Sequence, residues 1–143
     1  MLVSHILRQK GRDVVTVAPT AVLADIARTL AQRKIGAVIV IGLRGEVAGI
    51  ISERDIVGAL AKDGASALTR MANNYMTRKV ATCEETDTID EIMEIMTQGR
   101  FRHVPVLERG QLAGIISIGD VVKTRIEESE REASALKQYI AAG

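Results

Sequence analysis

The stretch Val47–Val57, VAGIISERDIV, returns 65 residues later as Leu112–Val122, LAGIISIGDVV, with seven of the eleven positions identical. Five of the shared residues are apolar or glycine, as a buried strand and its continuation require. The other two are a serine and an aspartate three residues apart, Ser52 with Asp55 and Ser117 with Asp120. A core by itself gives no reason for that pair to recur.

The repeat extends well beyond the motif. Val14–Val40 aligns with Val80–Val106 at an offset of 66, and a one-residue difference between the loops near Gly42–Gly45 and Glu108–Gly110 reconciles the two registers. Each unit reads in the same order. A short β-rich stretch (Val14–Val17; Val80–Cys83) precedes an amphipathic helix whose apolar face carries Leu23, Ile26, Ala27 and Leu30, matched by Ile89, Ile92, Met93 and Met96. Two apolar strands around a glycine-bearing turn follow (Ala37–Ile41 with Val47–Ile51; His103–Leu107 with Gln111–Ile116), and a second helix starts after Ser52 and after Ser117. The pattern predicts an α/β (α+β) fold of two β-α-β-β-α repeats. It divides the chain into repeat 1 (1–62), a linker (63–75), repeat 2 (76–125) and a helical tail (126–143). The tail, IEESEREASALKQYI from Ile126 to Ile140, reads as a solvated helix, with a partner-binding helix as the alternative. A unit of this size buries only about 60% of its unfolded surface. Its strands lack polar alternation, so the two units are expected to dock with approximate two-fold symmetry.

Composition narrows the function. A net charge of +1 and an aromatic content of 2% argue against nucleic-acid binding, which needs a basic face or stacking platforms. One cysteine and two histidines offer no metal set, and no supported catalytic constellation is evident. The longest apolar run, Ile35–Leu43, is about half the length of a membrane span. The N-terminus lacks the apolar stretch of a signal peptide, and a cytoplasmic protein is expected.

Ser-x-x-Asp at a helix start fits a capping box, in which serine accepts a backbone N–H and the carboxylate favours the positive end of the helix dipole. A strand running into a helix N-terminus also offers N–H groups to an anion, and a carboxylate there can accept both hydroxyls of a ribose. Ribose with phosphate implies a nucleotide, and the two roles are compatible.

With GAVIV and RHVPV ahead of GIISERD and GIISIGD, and the Met76–Thr77 pair before the second unit, the chain resembles two cystathionine β-synthase (CBS) domains in tandem. The resemblance covers about Leu2–Arg125. It implies an adenosine-ligand sensor without catalytic residues or metal, with AMP the first expectation and ATP or NAD(H) close behind. It places ribose carboxylates at Asp55 and Asp120 with hydroxyls at Ser52 and Ser117. It implies two clefts, in which Asp120 faces Val15, Thr16, Val17, Pro19, Gly36 and Ala37, and Asp55 faces Ala81, Thr82, Cys83, Arg102, His103, Val104 and Pro105. Arg54, Arg100 and Arg102 are the phosphate candidates. Gly119, in the place of Arg54, offers no side chain, so the clefts are expected to differ. Pro105 suggests a strand edge or bulge that frees backbone groups. Alanine at either aspartate is expected to remove a ribose contact and spare the fold. The resemblance further implies a homodimer and an effector protein as output. A ligand-free interaction module is the alternative.

Overall fold

A computed structural model describes residues 1–142. Both β-α-β-β-α units are present. The first comprises β1 (Thr16–Val17), α2 (Leu23–Arg33), β2 (Ala37–Ile41), β3 (Val47–Ser52) and α3 (Glu53–Asp63). The second comprises β4 (Cys83–Glu84), α4 (Ile89–Gly99), β5 (His103–Glu108), β6 (Gln111–Ser117) and α5 (Ile118–Ala142). The last residue assigned to the tail, Gly143, lies outside the described residues. A helix not anticipated from the sequence, α1 (Val3–Lys10), precedes them.

Each unit forms its own three-stranded sheet, with the first strand parallel to the second and the second antiparallel to the third. Both sheets carry a register shift at the same place, Val40/Ile41 and Val106/Leu107. Strand alternation sorts the side chains by face. Val38 and Val40 point to α2 and α3 in one core, whereas Ala37, Ile39 and Ile50 form another with Leu112 and Ile115 of the second sheet. The sheets therefore dock face to face. Met93, expected in the helix core, is instead 37% exposed, at the edge of the α4 face led by Ile89, Ile92 and Met96.

The segments ahead of the two units cross over. Val3, Ile6 and Leu7 of α1 pack in the core of the second unit, and Ala72 and Met76 pack in that of the first. Leu2 bridges Thr88, and Met71 bridges Val22. The crossing chain also supplies the first hydrogen bond of the opposite helix: Leu23 N–H donates to the Arg70 carbonyl, and Ile89 N–H to that of Met1, both at 2.9 Å. Helix ends need such acceptors or donors from outside. The linker is thus a structural part of the first core, with Ala67 and Ala72 fully buried.

The repeated glycine now has a physical cause. A Cβ on Gly49 would sit 2.8 Å from Met76 Sδ and 2.8 Å from the Thr77 carbonyl oxygen; on Gly114 it would sit 2.8 Å from Leu7 Cδ2. Each glycine is the seat of a crossing segment. The first seat meets backbone and the second only the end of a flexible side chain. Gly49→Ala is therefore expected to cost about 1–3 kcal/mol of stability, in the range of overpacked cores, and Gly114→Ala distinctly less. Urea denaturation of the two variants tests this, and equal losses would refute the distinction.

Candidate functional site

Both Ser-x-x-Asp motifs are complete capping boxes. In the first, Ser52 N–H donates to Asp55 Oδ2 at 2.8 Å, and Asp55 N–H donates to Ser52 Oγ at 3.4 Å. In the second, Ser117 N–H donates to Asp120 Oδ2 at 2.9 Å, and Asp120 N–H donates to Ser117 Oγ at 3.2 Å. Each carboxylate is also held by the segment that crosses from the other half. Thr77 Oγ1 donates to Asp55 Oδ1 at 3.1 Å, whereas Lys10 Nζ donates to Asp120 Oδ2 at 2.7 Å and to the Ile115 carbonyl at 2.9 Å. The aspartates therefore serve the fold as well: alanine at either one would remove its half of a capping box along with any ribose contact. Loss of such a cap costs about 1 kcal/mol.

Burial by itself would raise the Asp120 carboxyl, but Lys10 and the Ser117 N–H outweigh it and hold it below the ordinary carboxylate range. Asp55 pairs only with neutral donors, so the two repeated sites differ in charge.

The two expected clefts open onto one cavity of about 820 Å³ between the units, a size typical of small-molecule sites. Among the expected residues, Ser52, Arg54, Asp55, Ser117 and Gly119 line it from the helix starts. Val15, Gly36 and Ala37 line it from the first unit, and Arg100, Arg102 and His103 from the second. Lys34 and Arg100 occupy equivalent positions, both in the left-handed region with φ of 54° and 56° at the C-caps of α2 and α4. The left-handed region disfavours any residue with a Cβ, and here it turns a cation toward the cavity at each helix end. His103 packs against Gly36 so closely that a Cβ there would come within 2.9 Å of Nε2. Burial, then Lys10, lowers the His103 pKa against the opposing pull of Glu53 and Asp120.

The remaining expected residues do not line the cavity. Strand alternation turns Val104 and Cys83 into the second core, and burial with two nearby carboxylates pushes the Cys83 thiol up to about 12, so it stays protonated. Thr16, Val17, Pro19, Ala81 and Thr82 lie along or beside the short first strands, away from the cavity wall. Asp120 itself stands behind Lys10, which does line it. Pro105 lies in the central strand of its sheet, paired with Ile115, not at an edge. Its missing N–H still matters. Ile39 N–H donates to the Val15 carbonyl at 3.1 Å, and Pro105 has none to give the matching carbonyl of Ala81. Correspondingly, β4 pairs one residue later than β1.

Sequence reasoning missed Lys10, Asp13, Glu53, Thr77 and Phe101 in the cavity wall. Thr77 had a signal in the Met-Thr pair. Lys10 had none, because its partner is 110 residues away. Among the described residues no group of three or more His, Cys, Asp or Glu side chains could hold a metal, and no helix is long and apolar enough to cross a membrane.

A family model described as the CBS domain matches residues 3–62 and 72–127. A CBS-domain containing protein from Agrobacterium tumefaciens is 54% identical with a TM-score of 0.85, over 87% of this chain and 99% of that one. A CBS domain protein from Pyrobaculum aerophilum, complexed with AMP, is 28% identical with a TM-score of 0.75, over 84% and 89%. The CBS domain pair of protein MJ0100, in complex with 5-methylthioadenosine and S-adenosyl-L-methionine, is 25% identical with a TM-score of 0.78, over 90% and 98%. A mitochondrial CBS domain-containing protein of Arabidopsis thaliana, CBSX3, is 29% identical over 99% of this chain and 72% of its own length.

The depressed His103 pKa fixes a pH dependence. The unfolded chain takes the proton first, near the ordinary imidazole value of about 6.5. Stability from neutral His103 is therefore complete above that value and is lost as pH falls through it toward the folded pKa. Melting curves between pH 7.5 and 5.5 should show native protein losing stability more steeply than His103→Gln. Parallel curves would rule out the neutral buried imidazole.

Proposed function

The chain belongs to the CBS domain family, and from that premise we propose that it is a regulatory, non-catalytic module that binds an adenosine nucleotide in the cavity between its units. The observation that carries this reading is the convergence, on one cavity, of a capped carboxylate with cations set at two helix ends: Asp55 with Lys34 and Arg100. A ribose needs the first and a phosphate the second. AMP is the preferred ligand, with ADP, ATP, NAD(H) and S-adenosylmethionine sharing the same adenosine. AMP and S-adenosylmethionine complexes of similar folds support that class.

The residues divide the work. Asp55 Oδ1 can exchange the Thr77 hydroxyl for a ribose hydroxyl without breaking the capping box, because the cap uses Oδ2. Arg100, Arg102 and Lys34 offer phosphate partners, and Arg54 adds one beside Asp55 where Gly119 adds none beside Asp120. Val15, Ile35, Ala37 and Ile115 give the base an apolar wall. Five cations line the cavity against three carboxylates, Asp13, Glu53 and Asp55, so the site favours an anion. At the Asp120 end a ribose competes with the Lys10 ammonium, and a phosphate can draw that ammonium to itself. Binding there moves Lys10 and with it the end of α1. The output is a changed surface read by an effector protein or by the module's own oligomer.

A saturating ligand at a hundredfold excess over Kd should add about 2.7 kcal/mol to stability. Thermal shifts with AMP, ADP, ATP, NADH and S-adenosylmethionine test the reading, and no shift with any of them defeats it. Asp55→Asn keeps an oxygen for the cap but gives up one of the two acceptors, and should bind AMP about tenfold more weakly by calorimetry, the equivalent of about 1.4 kcal/mol. Lys10→Met should weaken AMP while strengthening uncharged adenosine. Losses of equal size for both ligands would mean that Lys10 does not compete for Asp120.

A further inference from the structure

The last fourteen described residues of α5 take little support from the other described residues: every residue from Ser129 to Ala142 is exposed. At 1.5 Å per residue they project about 21 Å from the body, and a helix of that length alone is marginal in water. Its sequence nevertheless carries a seam. Val122, Ile126, Ser129, Ala133, Leu136 and Ile140 follow one another at intervals of four, three, four, three and four. These are alternating d and a positions of a heptad, and over eighteen residues they stay on one face of the helix.

The seam faces away from the body. Val121 and Thr124 are 1% and 2% exposed on the packed side of α5, whereas Val122, Ile126, Leu136 and Ile140 are 50%, 54%, 59% and 68% exposed. It thus begins on the rigid part of the helix and continues without interruption onto the projecting part.

The charges beside the seam say what covers it. Arg125 and Glu132 flank it on one side, Glu130 and Lys137 on the other. In a parallel pair of helices each flanking residue on the first side meets the one five positions later on the partner. Arg125 then faces Glu130 of the partner subunit, and Glu132 faces Lys137 of the partner subunit. Both encounters join opposite charges. Arg125 is shared with Asp90 and Glu128 of its own chain, at 3.0 and 3.4 Å, so Glu132 with Lys137 is the cleaner pair. In an antiparallel arrangement residues of the same side meet, and Glu132 would not reach Lys137.

We propose that α5 is a dimerisation element that pairs in parallel with α5 of a second copy of this chain along the Val122–Ile140 seam. The small residues Ser129 and Ala133 at its middle let the helices approach but bury little, so the association is moderate. It places the two cavities of a dimer on bodies joined by one rod, and it stands independently of what those cavities bind.

Sedimentation equilibrium of the full chain tests the proposal. The native protein should dimerise, and Leu136→Glu, at a position 59% exposed on the projecting part of the helix, should weaken the dimer at least tenfold while leaving the melting temperature of the body unchanged. Glu132→Lys and Lys137→Glu should each weaken it, and the double variant should recover most of the loss. Ile140→Cys should cross-link to its own counterpart under mild oxidation, whereas the native chain, with Cys83 buried, should not. A monomer at all concentrations, a dimer indifferent to Leu136→Glu, or a double charge variant weaker than either single one would each overturn it.

Discussion

Two sheets of three strands, each backed by helices on one face, have to cover their second faces against each other. That contact, Ala37, Ile39 and Ile50 against Leu112 and Ile115, is what the rest of the molecule depends on. Neither unit is large enough to bury an adequate core alone. The cavity exists because the two docked units part at the ends of their strands, where the chain turns into α3 and α5. The capped aspartates and the left-handed cations are therefore arranged by the same contact that makes the fold stable.

The duplication is faithful in its backbone and loose in its side chains. Caps, bulges, glycine seats and crossing segments recur at matched places. What each crossing segment delivers to the aspartate does not: Thr77 brings a hydroxyl to Asp55 and Lys10 an ammonium to Asp120. Both bonds end on a carboxylate, but the ammonium also brings a full positive charge that pairs with Asp120 and that an incoming ligand has to meet. One change of residue type is enough to make two sites of common descent unequal in what they admit.

Much of the fold was legible because it is periodic. Strand runs, amphipathic helices and Ser-x-x-Asp each carry a local signal, and the repeat doubled it. The crossing segments had no such signal, since only the assembled structure reveals that α1 serves the second unit. The site was read less well, for a specific reason. Whole strand stretches were taken as lining, although alternation sends Cys83 and Val104 inward. Pro105 was read as an edge or bulge; it lies in the central strand, one residue before the register shift at Val106/Leu107, and the parallel first strand is so short that the missing donor is tolerated. Lys10 lay beyond any sequence argument because its role is a tertiary contact.

The crossing of α1 has a consequence for how the chain comes to be folded. Its partners, Glu85, Asp87, Gly114 and Asp120, all lie in the second half of the sequence. On the ribosome α1 therefore waits, without its docking place, until the second unit has emerged. Contacts of such long sequence separation close slowly. Until they form, the core position of Val3, Ile6 and Leu7 stands empty, and the second unit cannot complete itself. A segment made ahead of both units is among the last to be placed.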